Sequence, residues 1–212
     1  MTTLHRIATA CVATLLLAGC SIGGPKESPT IYAPEPKGSA DPAWPHVSWQ
    51  LSTARPGAAQ MLDSSRIVVS PVPGELQVYK GALWARTPTE MLEDGVLGTL
   101  EDSGKIPAAA RQGSGIAADY RLVMDIRHFQ AEYAGAALPS VVIEVSAKLL
   151  HAQDQAVVGS RSFRHVQPVS GTDIALVADA FSQALGATSR DIAGWVLVTG
   201  QAHEASHPDG AR

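Results

Sequence analysis

The sequence predicts an α+β domain: a mixed β-sheet of about five strands with two principal helices packed on it. Three observations predict it. Apolar and polar residues alternate over Tyr120–Ile126 and again over Val141–Leu149, the period of a half-buried strand. A complete helix start stands at Thr87-Pro88-Thr89-Glu90. A long stripe at helical spacing closes the chain, formed by Val177, Phe181, Ala184, Leu185, Thr188, Ile192, Trp195 and Val196.

Taken in order, Val47, Trp49 and Leu51 alternate with His46, Ser48 and Gln50 and predict a first strand. Arg66–Ser70 is a second, stopped by Pro71 and Pro73. Leu76–Trp84 reads as a short extended stretch broken at Gly81. In the following helix Thr87 is the N-cap, Pro88 fits the first helical position and Glu90 completes a capping box. Leu92, Val96 and Leu100 supply its apolar face and Gly104 its stop. Gly95 and Gly98 lower its propensity, so packing must hold it. This helix is expected to make a right-handed crossover between parallel strands.

The strand that starts at Tyr120 keeps its apolar face through Ile126, and then Phe129, Ala131 and Tyr133 continue it in the opposite parity. That switch predicts a bulge near Arg127-His128. Val141–Leu149, a turn at Gln153-Asp154 and Val157–Val166 read as a hairpin. The last helix is expected over about 172–198. One sheet face reads as largely polar, so both helices should cover the other. Trp84, Phe129, Tyr133 and Trp195 are expected in the core or at its edge.

Composition excludes several classes. With 212 residues the chain suits one domain with tails. It is 45% hydrophobic and 17% charged, with mean hydropathy +0.05, too apolar for a disordered chain. A formal net charge of −4 offers no basic field for nucleic acid. Cys11 and Cys20 are the sole cysteines, which excludes a disulfide-stapled miniprotein and a cysteine-based zinc or iron–sulfur centre. No apolar run of spanning length follows the first twenty residues.

Those twenty residues read as an address. His5 and Arg6 precede the apolar run Ile7–Ala18, which is of signal-peptide length and ends in Leu17-Ala18-Gly19-Cys20. This resembles the lipobox of bacterial lipoproteins. The resemblance implies cleavage before Cys20 and a diacylglyceryl group on its sulfur, chemistry that requires a thiolate nucleophile. Several buried acyl chains, at about 0.8 kcal/mol per methylene, hold such a protein firmly to a bilayer. Ser21, where Asp would imply inner-membrane retention, implies export to the outer membrane. Cleavage removes Arg6 and Cys11, so the mature chain is more acidic and cannot form an internal disulfide. Four segments follow: 1–19 as signal peptide, 20–45 as a lipid-anchored Pro-rich tether, 46–199 as the folded domain and 200–212 as a disordered tail.

No catalytic, cofactor or metal residue is predicted. His203-Glu204-Ala205-Ser206-His207 matches the zincin pattern H-E-x-x-H, but no apolar stripe accompanies it and Pro208 follows, so it reads as polar tail. Gly113-Ser114-Gly115 precedes a strand, the wrong context for a dinucleotide fingerprint. Neither a Walker A sequence nor a G-x-S-x-G elbow is present. His128 and His165 read as solvated histidines that can pair with strand carboxylates such as Asp125. The candidate surface is Leu76, Val78, Tyr79 and Leu83, an apolar set on a Gly-interrupted edge segment suited to a partner or to protomer packing.

The order of landmarks carries a family resemblance. After the lipobox and the proline-rich tether come RIVVSPVPGELQVYKGALWARTPTEML, then ADYRLVMDIRHFQAEY, a hairpin and a closing helix ending RDIAGW. This resembles the ABC-type transport auxiliary lipoproteins, the PqiC-like family, over most of residues 47–198; Trp49 stands where that family often has tyrosine. The resemblance implies a non-enzymatic, palmitate-type acylated lipoprotein on the periplasmic face of the outer membrane. It implies an MCE-domain protein and an inner-membrane ABC or permease component as partners in moving lipids between membranes, and a homo-oligomer as a further expectation. Two other readings stand beside it: a periplasmic structural adaptor that binds envelope proteins without lipid traffic, and an anchored hydrolase, which lacks a nucleophile–base set.

Overall fold

The computed structural model describes residues 28–35 and 40–207. The expected signal peptide, Cys20 and residues 208–212 lie outside the described residues. The fold is α+β, as expected: one mixed sheet with two helices on one side. The sheet has nine strands instead of about five: β1 Thr30–Tyr32, β2 Leu51–Thr53, β3 Gly57–Ala58, β4 Arg66–Ser70, β5 Gln77–Trp84, β6 Ala109–Arg111, β7 Tyr120–Glu132, β8 Ser140–His151 and β9 Val157–Pro168. The helices are α1, Pro88–Ser103, and α2, Ile174–Ser206.

β7 is the spine. Along one side it pairs antiparallel with β8, which pairs antiparallel with β9. Along its other side three short strands take turns, all parallel to it: β2 beside Tyr120–Leu122, β3 beside Asp125–Ile126 and β4 beside Ala131–Glu132. Beyond them lie β6 on β2, and β5 then β1 on β4. The parity switch of β7 is a bulge, with the register to β8 shifting between Ile126 and His128.

α1 begins as expected. Thr87 N donates to Glu90 Oε2 at 3.0 Å while the Thr87 hydroxyl accepts from Glu90 N, and Gly104 closes the helix at φ +61°. Its connection differs from expectation. β5 runs antiparallel to β4, whereas β4, β7, β2 and β6 are parallel neighbours. So α1 carries the chain from β5 to an oppositely directed β6 at the far edge, and does not link parallel strands. Leu92, Val96 and Leu100 are fully buried beneath it.

The first predicted strand is also corrected. Residues before Leu51 are fastened singly, Val47 N to Lys105 O at 2.9 Å and Leu51 N to Ala108 O at 3.1 Å, so ladder pairing starts only at Leu51. The tether contributes structure as well. Thr30–Tyr32 adds β1 in parallel to Ala82–Trp84, and Ser182 Oγ donates to Glu35 O at 2.7 Å. The sequence hides this strand because Pro29 and Pro34 bracket it and its pairing is entirely non-local.

The core lies between the sheet and the two helices. Trp84, Phe129 and Phe181 form its aromatic centre, with ring centroids 5.0 Å apart for Trp84–Phe181 and Phe129–Phe181. Such pairs add about 0.5–1.5 kcal/mol each beyond area burial. Tyr133 and Trp195 sit at the core edge, the latter edge-on to Phe163 at 5.7 Å. One carboxylate is buried beside the core: Glu93 on α1 accepts from Thr53 Oγ1 at 2.7 Å and from Arg111 Nε at 3.1 Å.

Candidate partner surface on strand β5

β5 is paired unevenly. On one side it follows β4 with a register shift between Arg66 and Val68; on the other, β1 covers only Ala82–Trp84. Among the described residues the outer edge of Gln77–Gly81 has no strand beside it. Tyr79, Ala82 and Trp84 turn to the core, so the side-chain parity changes at Gly81, whose φ of +67° suits a residue without Cβ.

That break sorts the four candidate residues. Val78 and Leu83 are half-buried on the face turned away from the core, and Leu76 is exposed just before the strand. Tyr79 belongs to the other face, where burial and the neighbouring Tyr133 hold its hydroxyl well above the usual phenol range. The set is therefore not one patch. The structure adds a residue that the sequence reading missed: Ile31 on β1 is exposed and stands in register with Leu83, so the two side chains adjoin on the outer face. The available signal was the β-prone run Thr30-Ile31-Tyr32.

The H-E-x-x-H stretch is not a frayed tail. α2 continues to Ser206 because β7 reaches up to hold it. The Tyr120 hydroxyl donates to Glu204 Oε1 at 2.8 Å and lies 2.7 Å from His203 Nδ1, which in this arrangement donates to it. Burial, then the bond to Glu204, raises Tyr120 above the ordinary phenol range. Burial, then His207 and His151, lowers His203 below the ordinary imidazole range. Glu204 is thus occupied by Tyr120, and the rings of His203 and His207 stack with centroids 4.5 Å apart. Among the described residues no three His, Cys, Asp or Glu side chains converge as a metal site. The motif pins a helix end.

The other histidines find carboxylates, though not Asp125. His128 Nδ1 lies 3.3 Å from Glu132, and His165 Nε2 lies 3.1 Å from Asp191 on α2. Gly113 and Gly115, both at positive φ, form part of the loop between β6 and β7.

Residues 30–193 match the family model of the ABC-type transport auxiliary lipoprotein component, beginning at the first residue of β1. The chain belongs to this family. Protein XCC0632 from Xanthomonas campestris, known from a crystal structure, is similar at 53% identity and a TM-score of 0.81, covering 83% of this chain and 99% of that one. A crystal structure of an uncharacterised protein shares the fold at 16% identity and a TM-score of 0.61, covering 79% of this chain and 97% of the other. Protein bll6063 of Bradyrhizobium diazoefficiens is 26% identical over 176 residues, covering 83% of this chain and 47% of that protein. The chain thus spans about half the length of that curated relative. The family is described as one of transport auxiliary components, a role that implies association with a transporter.

Proposed function

We propose that this auxiliary lipoprotein is anchored through acylated Cys20 to the periplasmic face of the outer membrane. There it serves, without catalysis, an intermembrane lipid transport system built from an MCE-domain protein and inner-membrane ABC or permease components. The observation that carries the reading is the order of parts along one chain: the lipobox at Leu17–Cys20, followed closely by the family match that opens at Thr30. A fixed anchor raises the effective concentration of the domain for a partner rooted in the opposite membrane. The outer face of β5 and β1, with Val78, Leu83 and Ile31, offers that partner or a second protomer an apolar surface beside a backbone edge that no described strand covers.

The test is affinity purification of the full-length chain from detergent-solubilised envelopes. An MCE-domain protein is expected to co-elute with it and to be lost from the Ile31→Glu, Leu83→Glu double variant while the variant stays folded. An MCE-domain protein that is absent even after in-cell crosslinking overturns the reading.

A further inference from the structure

Three loops meet at one end of the molecule: Pro71–Leu76 between β4 and β5, Tyr133–Pro139 between β7 and β8, and Val169–Asp173 between β9 and α2. The sheet register brings them together, since Ser70 pairs with Glu132, Glu132 with Ser140 and Ser140 with Pro168. The only charged residues in these loops are Glu75 and Asp173. Large apolar side chains stand out from this end: Val72 is 47% exposed, Leu76 43%, Leu138 43% and, on the first turn of α2, Leu176 42%. The Val72 and Leu76 turn is held in shape by Glu75 N donating to Val72 O at 3.1 Å. The opposite end is mostly polar, presenting Asp119, His151, Asp154, His203 and Glu204, with Val157 as an isolated exposed apolar side chain.

The path of the chain says what this end meets. β1 runs parallel to β5, with Thr30 beside Ala82, so the chain arrives at the sheet from the direction in which β5 begins, which is the apolar end. From Ala82 back to Leu76 is roughly 20 Å of strand. From Thr30 back to Cys20 the chain can span roughly 33–36 Å at full stretch. A chain of that length is long enough to extend past the apolar tip, the side from which β1 enters the sheet. We propose that Val72, Leu76, Leu138 and Leu176 form a tip that rests on the bilayer holding the chain's own acyl group. This inference rests on the anchor at Cys20. With two carboxylates and no basic residue in the loops, the contact is apolar, so salt should not weaken it. The polar end, α2's C-terminus and the open β5 edge are then turned toward the periplasm or lie along its side.

The experiment uses the lipidated full chain in vesicles of phosphatidylethanolamine and phosphatidylglycerol. Since acylation occupies the sulfur of Cys20, Leu76→Cys, Leu138→Cys and Val157→Cys can each be labelled singly with an environment-sensitive fluorophore. Val157, 59% exposed at the opposite end, is the control. Spin-labelled lipid is expected to quench positions 76 and 138 at least twofold more than 157, at low and high salt alike. Equal quenching at all three positions overturns the inference. So does shielding at 76 and 138 that follows protein density and not lipid spin label, which would make the tip a contact between copies. A chain that fails to float with the vesicles overturns the anchor and the tip together; one that floats with an unquenched tip overturns the tip alone.

Discussion

The indole of Trp49 lies so close to Gly200 that a Cβ added there would overlap its Cζ2. Trp49 is buried and packs edge-on against Tyr120 at 4.8 Å, so it cannot swing aside. The segment before β2 is thereby clamped to the last third of α2. In an open helix, Gly→Ala stabilises by about 1 kcal/mol. Here overpacking should win: Gly200→Ala is expected to destabilise by about 1–3 kcal/mol, read as a lowered urea midpoint. A midpoint that rises would show that the ring has room to move.

Gly98 supplies the opposite sign. It lies in α1 with nothing within 4 Å of an added Cβ. Gly98→Ala should therefore stabilise by about 0.5–1 kcal/mol in the same assay. Loss of stability would mean that the face of α1 at Gly98 is more crowded than the geometry allows.

Thr87→Ala removes the capping box that opens α1 and should cost about 1 kcal/mol. Arg111→Ala removes the charged partner of the Glu93 carboxylate, leaving Thr53 as its remaining donor, and should cost about 1–3 kcal/mol. A double-mutant cycle with Glu93→Gln checks the second figure: the Arg111 substitution should lose most of its effect once the buried charge is gone.

How far these features can be read from the sequence depends on whether their cause is local. The capping box of α1 and the bulge of β7 were readable because each is written within a few consecutive residues, Thr87–Glu90 and Ile126–Phe129. β1 and β3 were not, because three residues and two residues carry no period and their partners lie far along the chain. The end of α2 was misread for the same reason. Gln201, Ala202, Glu204 and Ala205 favour helix, but Gly200–His207 carries no apolar stripe to dock one; the hydroxyl that holds His203 and Glu204 comes from Tyr120. At the candidate surface, Leu76, Val78, Tyr79 and Leu83 were visible as apolar, but the left-handed Gly81 that divides them between two faces showed only as an interruption.

Burial of His203, with His207 and His151 beside it, makes the helix end sensitive to acid. His203 binds its proton less readily when folded than when unfolded, so the unfolded chain takes up more protons as pH falls through the ordinary histidine range near 6.5. Stability from this group is present above that range and lost below it. Protection of the amides over 200–206 against hydrogen exchange, taken relative to their intrinsic rates, should fall between pH 7.5 and 5.5, and His203→Gln should flatten that dependence. An unaltered dependence in the variant would assign the effect to other groups.

Anchoring, orientation and partner contact all depend on the sulfur of Cys20. The most direct check is the intact mass and N-terminal peptide of the chain recovered from the outer-membrane fraction of its own cells. A polypeptide that starts at Cys20 and carries acyl groups is the predicted result. A polypeptide that keeps Met1, or one that starts elsewhere with no lipid at position 20, contradicts it.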